Sequence, residues 1–210
     1  MKNLIADLST SKAAMVVGIA FITSVIIVTV VDDILLANFV VPGDTAALAR
    51  DIEANRRLFG FAVFGYLLVL ALDSIIGLAL YVVLKPANKN LALLTATLRL
   101  LYAFILVIGL FALVFQIIDA YSYATVKLFG YIFFALHIFV LGYSVFKAGY
   151  IPKSLGLLLV FASFTYIVFF IDLHLPEILE VIIMLTMAIA ELSLSIWLMV
   201  KRNRLPENSI

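Results

Sequence analysis

Residues 91–118 read LALLTATLRLLYAFILVIGLFALVFQII, an apolar run interrupted by a single charge, Arg99. A helix needs roughly 20 predominantly apolar residues to cross the hydrocarbon layer with its backbone bonds satisfied internally. A transmembrane strand would instead show about ten residues of strict alternation, whereas Ala103 to Phe115 is apolar on every side. The stretch reads as a membrane-spanning helix carrying one buried cation. The whole chain agrees: of 210 residues, 66% are hydrophobic and 13% charged, with a mean hydropathy of +1.23. A water-soluble domain carries about 25% charged residues.

Outward from this run the pattern predicts an all-α, single-domain bundle of six spans over residues 1–210. The spans are Ala13–Leu36, Leu58–Leu84, Leu91–Ile118, Val126–Phe146, Leu155–Ile171 and Ile178–Val200. Pro86 with Asn88 and Asn90 separates the second span from the third, and Gly149 with Pro152 separates the fourth from the fifth. Between the first two spans, Pro42-Gly43-Asp44 reads as a turn with Asp44 as N-cap of a short extramembrane helix over Ala47–Arg57. Tyr121-Ser122-Tyr123 reads as an interfacial belt ahead of the fourth span. Ala13–Val31 is longer than a signal-peptide core and has no clear small-residue cleavage site, so it is expected to stay as the first span.

Nine Lys and Arg residues lie on the side of the termini and four on the other: Arg50, Arg56, Arg57 and Lys127. Positive residues are retained in the cytoplasm, so both termini are expected there, in a cell (inner) membrane. Nine acids on the far side make that face acidic, a solvated loop surface or a vestibule that concentrates cations. A net charge of +1 without a basic stripe excludes nucleic acid as a partner and leaves the lipid bilayer and a small polar solute. The chain has no cysteine, which removes disulfides, thiolate metal sites and a cysteine nucleophile.

Four ionisable residues sit within the apolar spans. Counted from the terminal side at 1.5 Å per residue, Arg99 lies about 12 Å deep, Glu191 about 14 Å, His137 about 15 Å and Asp73 about 16 Å. Such residues are costly in hydrocarbon and mark ligand sites or proton relays, so these four are the candidate ligand or relay residues. Helical spacing adds Tyr66, Tyr102, Thr95, Ser144 and Ser195 as pocket-lining candidates, and Ser24 and Ser163 fall at a similar depth. Arg99 cannot shed its proton and must meet an anion; Asp73, on the antiparallel neighbour, is the expected partner. Glu191, left without a second intramembrane arginine, is the expected proton carrier.

No cofactor is expected. A metal site built from His137, Asp73 and Glu191 is a weakly signalled alternative, since His174 lies in an outer loop and no H-E-x-x-H motif occurs. No G-x-S-x-G motif or phosphate-cradling glycine loop points to soluble-enzyme chemistry.

Pro42-Gly43-Asp44, LALYVVLKP at 78–86, residues 91–102 with Arg99, and LHIFVLGYSVFKAGYIPKSLG at 136–156 together resemble the prokaryotic multi-pass membrane proteins grouped as domain-of-unknown-function family 4386. The likeness runs from about Ala13 to Met199. It implies a small six-span membrane protein of unassigned activity and marks Asp73, Arg99, His137, Gly142, Tyr150, Pro152 and Gly156 as positions that match the family pattern. The sixth span, with Glu191, matches it only loosely. Three functions are therefore in view: binding or translocation of a small polar or charged solute, proton-coupled; a metal-assisted intramembrane enzyme acting on a lipid; and a structural or regulatory membrane subunit.

Overall fold

The computed structural model describes residues 8–31, 50, 52–115, 117–118, 120–170 and 175–207. Among them no strand occurs. The α-helices whose bounds fall among the described residues follow one another as α1 (Thr10–Thr29), α2 (Arg56–Leu84), α3 (Lys89–Val114), α4 (Ala120–Lys147), α5 (Lys153–Phe170) and α6 (Glu177–Lys201), with a 3-10 turn at Arg202–Arg204. By length and composition α1, α2, α3, α4 and α6 can each cross a membrane, and α5 is a shorter apolar helix. This is the build of a multi-pass membrane protein.

Local chemistry sets several helix starts. Ser9 caps α1 by accepting from the Lys12 amide at 3.3 Å, and Asn88 caps α3 by accepting from the Leu91 amide at 3.0 Å. Two expected boundaries differ. α3 ends at Val114 and not at Ile118, and α4 begins at Ala120, so residues 121–123 form its first turn. No Gly or Pro stands between Ala120 and Phe129, and tyrosine, serine and threonine only mildly disfavour helix there. Of the short helix expected between the first two spans, Asp44 and residues 47–49 and 51 lie outside the described residues, while 50 and 52–54 are helical. Asp32, Asp33, Asp119, Asp172 and His174 also lie outside them, so most of the acidic face expected from the sequence has no structural description.

Each helix packs on its neighbours in sequence, and α6 returns to pack on α1, which closes the bundle into a ring. One end of the ring carries Thr10, Leu84, Lys89, Lys147, Lys153 and Lys201, as short turns between antiparallel helices require. Ser11 on α1 bonds Asn203 beyond α6 at 3.2 Å, joining the first and last elements at that end. There too the Tyr150 hydroxyl, in the α4–α5 turn, donates to the Val83 carbonyl at 2.7 Å. That carbonyl lies in the last turn of α2, where helices leave acceptors unmet. Burial pushes the Tyr150 phenol up to about 12, so it stays a donor through the physiological range.

The distribution of side chains is the reverse of a soluble protein. Phe61, Phe64, Phe104, Phe129, Phe161 and Ile178 are each at least 56% exposed, whereas Asp73, Arg99, His137 and Glu191 are at most 6% exposed. A surface this apolar is matched to lipid, and its polar groups are turned into the ring.

Glycine lets α4 and α5 touch backbone to backbone. A Cβ on Gly142 would stand 2.7 Å from the Val160 nitrogen and 2.8 Å from the Gly156 oxygen; one on Gly156 would stand 2.6 Å from the Phe146 nitrogen. Backbone atoms cannot swing aside, so a methyl group has to push the helices apart. Gly142→Ala is expected to destabilise the protein by about 1–3 kcal/mol, read as a lower melting temperature in detergent. Gly60→Ala, which meets nothing within 4 Å, is the control and should melt no lower than the parent. Equal melting of the two variants would mean that the close approach is not needed.

Candidate functional site

α2, α3, α4 and α6 each send one of the four intramembrane ionisable residues to a common point inside the ring, and α5 adds a tyrosine. Arg99 on α3 is the hub. Its Nη2 lies 2.5 Å and its Nε 3.2 Å from Asp73 Oδ1 on α2. Its Nη1 lies 3.1 Å from His137 Nε2 on α4 and 3.8 Å from Glu191 Oε2 on α6. The guanidinium carbon also stands 5.2 Å from the centre of the Phe134 ring, a cation–π contact.

The partners of His137 fix its tautomer. Arg99 can only donate and a carbonyl can only accept. With the Thr95 carbonyl 2.8 Å from Nδ1, the imidazole carries its proton on Nδ1 and offers a lone pair at Nε2 to the guanidinium. His137 is thus a neutral strut between two turns of α3. Thr95 extends the network, since its hydroxyl donates to the Leu91 carbonyl at 2.8 Å and lies 3.4 Å from the Ser144 hydroxyl.

Glu191 is held differently. Its Oε1 accepts from the Tyr166 hydroxyl on α5 in a short hydrogen bond, and its Oε2 looks toward Arg99 at more than hydrogen-bond distance. Two carboxyl groups therefore share one guanidinium, which Asp73 holds directly and Glu191 only electrostatically. With the imidazole neutral, one negative charge is in surplus unless a proton joins Glu191.

A cavity of about 10 Å³ lies beside this network, lined among others by Arg99, Glu191, Ser195, Phe21 and Ile76. That volume is at the lower limit for one water. A groove of about 460 Å³ between α2 and α3, lined by Ser74, Thr97, Leu101 and Phe104, opens on the outer apolar flank and includes none of the four ionisable residues.

Asp73, Arg99, His137 and Glu191 converge as their depths predicted, and Asp73 is the partner of Arg99. Thr95, Ser144 and Ser195 adjoin the network. Tyr102 packs on Phe134 with ring centres 4.7 Å apart, so it roofs the site. Tyr66 stands two turns away along α2, where the Lys127 ammonium lies 5.8 Å from its ring centre. Ser163 is buried but bonded to the Val160 carbonyl.

Sequence reasoning missed Tyr166 and Phe134. Counting Cα depth along the fifth span picks Ser163, but a helical side chain leans toward its own N-terminus, and a phenol is long enough to reach back to a neighbour's level. A rule that scored the polar tip instead of the Cα would have found Tyr166. Among the described residues, no group of three His, Asp or Glu side chains could hold a metal ion. Between Asp73, His137 and Glu191 stands the Arg99 guanidinium, a cation already in the place where a metal would have to sit.

Residues 16–118 and 112–201 match the family described as domain of unknown function DUF4386, and the chain belongs to that family. It is also 38% identical over 108 residues to an uncharacterized protein of Archaeoglobus fulgidus, an alignment covering 51% of this chain and 64% of that protein. The chain thus spans just under two thirds of that relative's length. No solved structure matches it significantly.

Proposed function

We propose that this member of the DUF4386 family binds or translocates a small polar or charged solute across a cell membrane and couples the movement to a proton on Glu191. In this reading all six helices span the bilayer, α5 included. The nine-to-four bias of Lys and Arg sets both termini in the cytoplasm. Arg99 is the anion contact and Asp73 its resting counter-ion.

The observation that carries the reading is the unequal sharing of one guanidinium by two buried carboxyl groups. A purely architectural pair needs one carboxylate for one arginine. Here a second carboxyl, faced by Arg99 from α3, Asp73 from α2 and Tyr166 from α5, is kept where charge balance calls for one more proton. Relays in pumps and transporters use carboxyl groups placed in this way. With room for no more than one water beside Arg99 and Glu191, the site is contracted in this reading, and a solute is admitted when helices part.

The test is proton movement into proteoliposomes, followed with an internal pH dye, on imposing gradients of carboxylates, amino acids and quaternary amines in turn. One of these classes should drive proton flux in the parent protein, and Glu191→Gln should abolish that flux while melting as the parent does. Flux that persists undiminished in Glu191→Gln, or no flux with any class, would overturn the proposal.

A further inference from the structure

The two ends of the ring are built differently around the ionic centre. Toward the end carrying the termini the bundle is aliphatic: Leu80, Leu84, Leu141, Val145, Leu194 and Leu198 are each at most 3% exposed, and the cavity of about 10 Å³ that Leu80, Leu141, Leu194 and Ser195 line there has room for no more than one water. Thr95 and Ser144 lie in that half, but their hydroxyls are bonded to backbone carbonyls of their own helices. Neither would replace the water around a passing ion.

The opposite half is aromatic and carries a cation, Lys127, among its rings. On α4 the residues Tyr123, Lys127, Tyr131, Phe134 and His137 follow at spacings of four, four, three and three, one face of a helix. The Lys127 ammonium lies 5.9 Å from the Tyr123 ring centre and 5.8 Å from that of Tyr66 on α2. A turn deeper, Tyr131 stacks on Tyr102 of α3 with ring centres 6.1 Å apart. Tyr102 meets Phe134 at 4.7 Å, and Phe134 underlies Arg99. Two tiers of rings thus connect Lys127 to Arg99 along the seam of α2, α3 and α4, over ten residues of α4 or about 15 Å.

We infer that this seam is the access route to the site, and that its substrate class is a small monocarboxylate entering from the end opposite the termini past Lys127 to Arg99. The inference rests on the solute-and-proton function proposed above and names its solute. A cation would have to pass the fixed positive charge of Lys127 before it met the carboxyl groups of the site. A carboxylate is attracted at the mouth by the ammonium and matched at the floor by the planar guanidinium fork. Tyrosine rings can turn about their side-chain bonds and present hydroxyl edges to a passing carboxylate, edges that aliphatic side chains lack, so the tiers serve as the gate. The carboxylate displaces Asp73 from Arg99 or joins it there, and a proton taken by Glu191 brings the loaded site back to the one surplus negative charge of the empty, unprotonated site.

The absence of cysteine makes the route directly measurable. Tyr131→Cys, with Tyr123→Cys one turn beyond Lys127 as companion, is introduced into the full chain in proteoliposomes. Each is exposed to membrane-impermeant methanethiosulfonate reagents bearing a sulfonate or a trimethylammonium group. The sulfonate reagent should modify Tyr131→Cys from the Lys127 side, about tenfold slower once Lys127→Gln is added, as expected for lost electrostatic steering. Pyruvate should protect the thiol. Preference for the cationic reagent, reaction only from the terminal side, no reaction at either position, or no effect of Lys127→Gln would each overturn the route. If those results came together with proton flux lost in Glu191→Gln, the proposed function would stand and only the carboxylate assignment would fall.

Discussion

Asp73→Asn should lower the stability of the detergent-extracted protein by about 3 kcal/mol or more, and adding Arg99→Gln should restore part of that loss. Breaking a buried ion pair on one side leaves an uncompensated charge and costs about 3–5 kcal/mol, whereas replacing both members with neutral groups of similar shape costs far less. Two features of this site set the size. Asp73 Oδ1 receives two of the guanidinium's N–H groups, so the single change removes the carboxylate in direct hydrogen bonding with it. Glu191 Oε2, 3.8 Å from Nη1, is close enough to move in and recover some of the loss, which places the effect at the lower end of the range. Thermal melting of the parent, both single variants and the double variant measures the coupling. Melting of the double variant at or below Asp73→Asn would mean that the pair does not hold α2 against α3.

This pairing was legible because lipid makes the argument simple. An arginine in an apolar run must have an anion, and a short turn after α2 makes α3 its antiparallel neighbour. The common depth of His137 and Glu191 followed from the same count, since straight helices of fixed rise keep levels in register. The sequence was less informative where side-chain length matters more than Cα position. Tyr166 reaches the network from beyond the expected level, and Tyr66, on the expected face, belongs to the Lys127 tier instead. The start of α4 at Ala120 is hidden in the sequence because tyrosine and serine are as compatible with a first helical turn as with an interface.

The glycines show a different limit. Gly142 and Gly156 belonged to the stretch that carried the family resemblance, yet nothing in the sequence says which neighbour each approaches. The contact of α4 with α5 supplies the reason. Where two backbones meet at the distance of a missing methyl group, the residue type is dictated by the partner helix and not by its own.

Glu191→Gln is expected to have the largest functional effect, at least about a hundredfold loss of solute-driven proton flux, because a glutamine amide has no proton to give at any accessible pH. The change is nearly isosteric and leaves Tyr166 a carbonyl oxygen to donate to, so the bundle should keep its packing and melt as the parent does. Charge balance then separates two outcomes. With a neutral amide in place of the carboxyl, the surplus negative charge is gone and the centre resembles its protonated state permanently. Solute exchange, in which labelled and unlabelled solute swap across the membrane without net proton movement, should therefore survive in this variant. Tyr166→Phe gives the intermediate case: it removes the hydroxyl that donates to Glu191 Oε1 but keeps the carboxyl, so proton flux should persist with a displaced pH profile. Loss of exchange together with proton flux in Glu191→Gln would mean that the carboxylate itself holds the bundle together, and an unshifted profile in Tyr166→Phe would detach the tyrosine from proton binding.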